Sequence, residues 1–445
     1  MKESVAVKVV MDKLPTAELD QTLSEFASPL TEMLPDERLR QVVPLAVRGT
    51  VVAGESPVIT QVARNVERTE STTWAAAKRI YRFLENPRLS PCLLQEGLYE
   101  RAKATVEEED PEHLVVALDP VNFEKPYTYE LQGVSTVYKS TPPDRYGKAR
   151  LARGYPAITA TVVNTRVPAT TYANWFSYTT EFISENREIH HAIQSTRQLF
   201  PKRRVRFVAD SGLDDQKVFE WIAKEECEFV IRASHLERRV EVYNKHLDRW
   251  EEESLEDLVE SVPFSGNWQA TFTHAGKSRV ATIKVGWLKL RLPETRRRIW
   301  AVVAEEYDAT EQAVRTLVLV TNVEVEAEKE AQEVYGDWRL RGRIEHGYRL
   351  CQEAGLDVED MRVRTLERMR RLFILVLLAM QFVFHLMERW PAVGVRWLRE
   401  LGGKLGLQID RDGPYILLRG LSAVWQTAMT LTHLATCPFP HGAFR

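Results

Sequence analysis

The stretch Arg204-Val-Arg-Phe-Val-Ala-Asp210-Ser-Gly-Leu-Asp214-Asp215, continuing through an amphipathic segment to Glu228-Phe-Val-Ile-Arg232, decides how this chain is read. Its two short apolar runs are rich in β-branched and aromatic residues and flank a segment of helical spacing, the pattern of two strands joined by a helix. An earlier run, Leu114-Val-Val-Ala-Leu-Asp119, has the same form. Strands joined through helices pair in parallel and are covered on both faces, which accounts for runs with almost no polar alternation. Two of these runs close on an aspartate, Asp119 and Asp210, and both belong on neighbouring central strands.

Working outward, Ala157 to Val163 and Thr170 to Tyr178 also read as strands, so the order from residue 113 is three strands, helix, strand, helix, strand. That order predicts an α/β fold, a mixed sheet with helices on both faces. Residues 1 to 110 read as a helical domain punctuated by Pro44, Pro57, Pro87 and Pro91. Within it, Val62 to Glu67 and Thr73 to Leu84 form either a helix-turn-helix-like pair or part of a plain bundle, with Arg64, Arg68, Lys78, Arg79 and Arg82 giving a basic surface. Between about 236 and 322 the runs Ala270 to His274, Arg279 to Val285, Ile299 to Ala304 and Leu317 to Thr321 predict an all-β insertion. Trp338 to Ala354 is predicted as one helix, with Trp338, Arg341, Glu345, Arg349 and Gln352 on a single face. A second helix over Glu359 to Trp390 closes the 111–390 domain. Gly402, Gly403, Gly406 and Gly413-Pro414 then interrupt a C-terminal region, 391–445, that is helical again over Leu417 to Leu431.

Bulk composition narrows the classes. At 445 residues, 44% hydrophobic and 28% charged, the chain supports two or three domains around one sizeable core. The net charge of −3 gives no global attraction to nucleic acid, so any such contact rests on local clusters. Lys202-Arg203-Arg204, Arg296-Arg297-Arg298, and Arg362, Arg364, Arg368, Arg370 and Arg371 are the candidates. The four cysteines, Cys92, Cys227, Cys351 and Cys437, lack metal-ligand or paired spacing, which argues against zinc and disulfides and fits a reducing cytoplasm. No secretory signal pattern opens the chain. Leu372 to Met380, its most apolar run, reads as a buried helix and not a membrane span.

Asp119, Asp210 and Glu345 suggest a chemistry. Cleaving a phosphodiester needs a nucleophile activated near neutral pH and charge stabilisation on both sides of the phosphorus, which two Mg²⁺ ions about 4 Å apart supply. Hard cations take carboxylate oxygens, so acidic side chains must converge from distant parts of the chain. One aspartate after an apolar run is ordinarily a turn or cap residue, and only the surrounding sequence raises these above that.

That surrounding sequence resembles the DDE transposases of insertion sequence family four, the group of transposon five. The Asp210 block, with Asp214 four residues on and a following strand ending at Arg232, is similar to that family's second-aspartate block. The family's third block reads Tyr, two residues, Arg, three, Glu, six, Lys; here it is Trp338, Arg341, Glu345 and Gln352. Tyr81-Arg82-Phe83-Leu-Glu-Asn86-Pro87 resembles a run in the family's N-terminal DNA-binding domain, and Leu366-Glu367-Arg368-Met369 its segment after the glutamate. The likeness spans about residues 60 to 385. Gln lacks the charge of the family's Lys, and Arg349, one helical turn after Glu345, is placed to supply it. Leu317 stands where relatives stack a flipped base on a Trp.

The resemblance implies an RNase H-like catalytic domain with the β insertion before its last catalytic helix. It implies a DNA transposase making cut-and-paste cleavage and strand transfer with two Mg²⁺ ions, for which Mn²⁺ substitutes. Asp119, Asp210 and Glu345 would be catalytic metal ligands. Trp338, Arg341, Arg349, Gln352, Arg232, Tyr81 and Arg82 would meet phosphate or DNA, with Asp214 supporting them from behind. Its partners would be double-stranded transposon ends and target DNA, bound by a homodimer to which the C-terminal region contributes. Two other readings stay open: a DNA-binding regulator derived from a transposase, and an RNase H-like nuclease without strand transfer.

Overall fold

The structure, a computed structural model, describes residues 13–54, 56–66, 70–125, 130–139, 148–180, 184–244, 247–274, 277–308, 312–344, 347, 356–403 and 413–436. Among these, five helices precede the first strand: α1 (Thr16–Met33), α2 (Glu37–Ala53), α3 (Ile59–Arg64), α4 (Glu70–Glu85) and α5 (Pro91–Glu109). Local chemistry sets their ends. The Asp36 carboxylate accepts from the Leu39 N–H to start α2, and Gly54, at φ 65°, ends it. Ser90 accepts from Leu93 N–H at the start of α5, with Pro91 at a position that needs no N–H donor.

The next elements are β1 (Leu114–Glu124), β2 (Ser135–Tyr138), β3 (Leu151–Val162), β4 (Ala169–Trp175), α6 (Glu185–Leu199), β5 (Val205–Ala209), α7 (Gln216–Lys224) and β6 (Glu228–Arg232). They are followed by β7 (Arg239–Asn244), β8 (Arg249–Ser254), α8 (Leu255–Glu260), β9 (Gly266–His274), β10 (Lys277–Arg291), β11 (Arg298–Tyr307) and β12 (Ala313–Thr321). Four helices complete the described chain: α9 (Glu328–Leu340), α10 (Leu366–Arg389), α11 (Ala392–Gly402) and α12 (Pro414–Thr436). All twelve strands join one sheet in the order β2-β3-β1-β5-β6-β12-β11-β10-β7-β8, with β4 also on β3 and β9 also on β10. The pairs β1–β5 and β5–β6 are parallel, and the remaining pairs are antiparallel. The protein is therefore a mixed α/β fold.

Helices cover both faces. Ile189, Ile193, Val218, Phe219 and Ile222 from α6 and α7 pack on one face with Phe207 and Ile231. On the other, Ala331, Val334, Tyr335 and Trp338 of α9 pack with Val115, Ala117, Val208 and Val230. A third, mainly helical core is shared by α1 to α5, α10, α11 and α12 and includes Phe123, Tyr155 and Trp175 of the sheet, so the N-terminal and C-terminal described helices pack together. Within it α11 and α12 touch backbone to backbone: a Cβ on Gly420 would lie 1.9 Å from the Leu398 carbonyl oxygen.

Three features differ from the sequence reading. β1 does not stop at Asp119; it continues to Glu124 because β3 keeps pairing with it after β5 has ended. The 236–322 region contains an additional hairpin, β7–β8, in which Val240 and Val242 of β7 alternate with charged residues and β8 is charged along most of its length, and its last strand, β12, pairs directly with β6. The helix expected from Trp338 begins ten residues earlier, at Glu328; α9 runs to Leu340, and after a turn at Arg341 residues 342–344 and 347 are again helical. α10 is 24 residues long, apolar enough in composition to cross a membrane, and 83% of its most apolar window is buried inside the protein.

Candidate carboxylate site

The parallel register pairs Leu114 with Val205 and Ala117 with Val208, and carried two residues further it sets Asp119 beside Asp210. Side chains alternate along a strand, and Val115, Ala117 and Val208 all face α9, so both aspartates face that helix too. Adjacent strands lie about 5 Å apart, within reach of a shared cation. Asp210 is 41% exposed at its side chain and accepts from the Ser211 N–H at 2.9 Å. Arg232 Nη1 lies 3.6 Å from one of its carboxylate oxygens and Arg341 Nη2 3.6 Å from the other. Thr159 is the cross-strand neighbour of Asp119 on β3. It is buried, and its hydroxyl has no partner among the described residues.

Glu345, Arg349 and Gln352, expected as third metal ligand and phosphate contacts, lie outside the described residues; the chain reaches them after α9. That helix is tied to β5. Trp338 is 4% exposed, and its indole N–H donates to the Ala209 carbonyl at 3.0 Å. From the sequence Trp338 is expected to meet phosphate or DNA; the structure places it as a brace holding the helix one residue from Asp210. Arg343, unassigned from the sequence, donates to the carbonyls of Val163, Thr165 and Arg166, and burial lowers its pKa from the ordinary arginine value. It anchors the start of the Glu345 segment to the end of β3.

Asp214 is buried and holds the loop after β6, accepting from the backbone N–H groups of Ser234 and His235 at 2.8 and 3.0 Å. It also pairs with Arg238 at 2.7 Å. Arg232 ends β6 beside Asp210, as its place in the block implied. Leu317 is buried in β12, where no base could stack on it.

Several arginines of the expected phosphate-binding clusters are engaged within the protein. Arg203 pairs with Asp110, Arg204 with Glu228 at 2.7 Å, Arg368 with Glu85 at 3.1 Å, and the buried Arg371 with Glu367. In the N-terminal helices Tyr81 packs against the helical core. Arg82 instead lines a groove of about 340 Å³ between α2 and α4 with Arg38, Arg79, Arg88 and Asp36.

A second cluster was not foreseen from the sequence. His113, Glu333 and Asp337 bring their ligand atoms within 4.8 Å of one another, a possible metal set by spacing. The Arg206 guanidinium already occupies it, bonded to Asp337 and, at 2.8 Å, to Glu333. Burial opposes the charge of Arg206, but Glu228 and Asp337 outweigh it and raise its pKa. Asp119 and Asp210 offer hard oxygen donors from adjacent strands, the donor type a divalent metal takes, and the two arginines near Asp210 stand off at 3.6 Å.

The family profile described as "Transposase DDE domain" matches residues 135–382, more than half of the chain. The protein belongs to the transposase DDE domain family. The matched span contains Asp210 and Glu345 and begins after Asp119, whose link to the site is the strand register. No curated protein matches the chain. A piggyBac transposase, solved by cryo-EM in a synaptic complex with hairpin DNA, superposes with a TM-score of 0.41 at 8% identity, over 99% of this chain and 86% of that one. A likeness that distant carries no argument about this chain's activity.

Proposed function

We propose that the protein is a DNA transposase that binds the ends of a mobile element and performs cut-and-paste cleavage and strand transfer at an RNase H-like carboxylate site. The observation that supports this reading is the parallel register of β1 and β5, which pairs Ala117 with Val208 on the face covered by α9 and, carried two residues on, runs to Asp119 and Asp210. The order β2/β4, β3, β1, β5, β6, with the first pairs antiparallel and the last two parallel, supports the RNase H-like assignment. On it, residues 236–322 are the insertion, 1–110 the DNA-binding domain and 391–445 a region engaged in dimerisation.

Asp119 and Asp210, with Glu345 by its place in the family signature, would hold two Mg²⁺ or Mn²⁺ ions. Bound there, the metals supply a nucleophile at neutral pH and charge stabilisation at phosphorus. Arg341 and Arg232 keep the Asp210 carboxylate oriented and give charge-assisted hydrogen bonds to a phosphate entering the site. Arg349 and Gln352 would extend that contact along the backbone. Arg82 and its groove neighbours would bind element ends, as double-stranded DNA held by a homodimer in the cytoplasm.

The test is cleavage of a labelled duplex carrying the ends of the encoding element, with Mg²⁺, by the native protein and by Glu345→Ala, Asp119→Ala and Asp210→Ala. Cleavage at the element boundary, lost in each variant with end binding retained, is the expected result. Binding without cleavage by every protein, the native one included, would favour a regulator, the reading that Gln352 in place of the signature Lys supports. Cleavage without joining would favour a nuclease.

A further inference from the structure

Arg206 is fully buried on β5, on the face that packs against α9. Its Nη1 bonds Asp337 and, at 2.8 Å, Glu333, both on α9. Its Nε bonds Glu228 at the start of β6, at 2.8 Å. Asp337 also meets His113 Nε2 at 2.8 Å, just before β1. The His113 carbonyl and the Val115 N–H are in turn bonded by the Asn164 side chain. One guanidinium therefore ties the starts of β1, β5 and β6 to the middle of α9.

Charges on the two elements alternate in opposite senses. Arg206 and Asp210 share one face of the chain running along and just past β5, a cation then an anion, about 13 Å apart at roughly 3.3 Å per residue. Glu333, Asp337 and Arg341 share one stripe of α9, two anions then a cation, with Glu333 and Arg341 about 12 Å apart at 1.5 Å per residue. Cation meets anion at one end and anion meets cation at the other, where Arg341 lies 3.6 Å from Asp210. Sliding α9 by one turn, about 5.4 Å, toward its C-terminus would leave Glu333 near Arg206 but carry Asp337 toward Asp210. Two carboxylates would then face each other, so only the observed register satisfies both ends.

We propose that Arg206 is a positioning residue of the carboxylate site: with Glu333 and Asp337 it sets the axial register of α9 on β5, and so fixes Arg341 and the segment entering Glu345 against Asp119 and Asp210. The proposal rests on the reading of that site as a metal centre. Removing one member of a buried charged network leaves the others uncompensated, whereas an amide in place of a carboxylate keeps the hydrogen bonds. Arg206→Met and the gentler Asp337→Asn and Glu333→Gln therefore form a graded series.

The experiment is amide hydrogen exchange of the full chain, read at peptides covering 328–344, 205–209 and 228–232, together with Mn²⁺ titration of the same proteins. Arg206→Met is expected to speed exchange in 333–344 about tenfold while the strand peptides stay protected, and to raise the Mn²⁺ half-saturation about fivefold. Asp337→Asn should move both in the same direction by about threefold, and Arg206→Lys should restore part of each. If Arg206→Met does not fold, the double variant Asp337→Asn/Glu333→Gln decides. Exchange in 333–344 unchanged within about twofold in a folded variant overturns the proposal. So does uniform loosening of helix and strands together, the mark of a merely structural role. If the native protein binds no Mn²⁺, the metal-site reading fails, and helix exchange still decides whether Arg206 sets the register of α9.

Discussion

Trp338→Phe probes the brace next to Asp210. The substitution removes the indole N–H that bonds the Ala209 carbonyl at 3.0 Å, in a position 4% exposed. An unpaired buried acceptor costs about 1–3 kcal/mol. The smaller ring leaves roughly 40 Å³ unfilled, which at about 24 cal/mol per Å³ adds ~1 kcal/mol. The sum is ~2–4 kcal/mol, a fall in melting temperature of roughly 4–8 °C at about 2 °C per kcal/mol. Thermal unfolding followed by circular dichroism reads it. The same change should cut cleavage more than end binding, because Ala209 and Asp210 are neighbours and none of the residues lining the proposed end-binding groove touches Trp338. Trp338→Tyr, the residue of the family signature, should recover part of both if its hydroxyl reaches Ala209. A Trp338→Phe protein that melts within 1 °C of the native one and cleaves equally would refute the brace.

Three other outcomes are expected from the structure. His385 on α10 has Nδ1 3.1 Å from Arg101, and burial, then the charges of Arg101 and Arg389, lower its pKa from 6.5 to about 4. Below pH 6.5 the unfolded chain takes up a proton that the folded chain refuses, so this stability is present above pH 6.5 and lost as pH falls toward 4. Urea midpoints at pH 7 and pH 4.5 should show the native protein losing about 1–2 kcal/mol more than His385→Gln, a figure reduced for partial solvent screening; equal losses would be contrary. Gly420→Ala places a Cβ 1.9 Å from the Leu398 carbonyl oxygen, and should cost about 3 kcal/mol by forcing α11 and α12 apart, as a lower melting temperature reports. Mn²⁺ at about ten times its dissociation constant should stabilise the native protein by ~1.4 kcal/mol, and an Asp119→Asn/Asp210→Asn double variant by almost nothing in the same thermal shift assay.

The central strands were legible because parallel strands covered on both faces are apolar runs, and Leu114 to Leu118, Val205 to Ala209 and Glu228 to Arg232 are such runs. Asp119 as a mid-strand residue was not, because the extra pairing comes from β3, distant in sequence. The β7–β8 hairpin was hidden by its composition: Val240 and Val242 are its only inward-facing aliphatic residues among those described, and Glu241, Glu251 and Glu252 around them find arginine and asparagine partners. Of the candidate site, the sequence put Asp210 and Arg232 at the ends of two strands joined by a helix, and the structure brings them to 3.6 Å. It misjudged Trp338, since a residue's place in a signature does not say which way it faces. Arg206 escaped notice because an arginine inside a strand run reads as an exposed edge residue; an alternation test against Val208 would have shown it facing inward with nothing but charge to satisfy it. The helix expected from Trp338 starts ten residues earlier, at Glu328, for a simpler reason. Glu330 accepts from the Ala327 N–H at 2.8 Å, an N-terminal signal eight residues before Trp338.

The most direct measurement of the central claim is anomalous diffraction from crystals of the full chain grown with Mn²⁺. Peaks bounded by the carboxylates of Asp119 and Asp210 are the predicted result, with none at His113, Glu333 and Asp337, where Arg206 already supplies the positive charge. Manganese bound at that second cluster, with Asp119 and Asp210 left empty, would contradict the account.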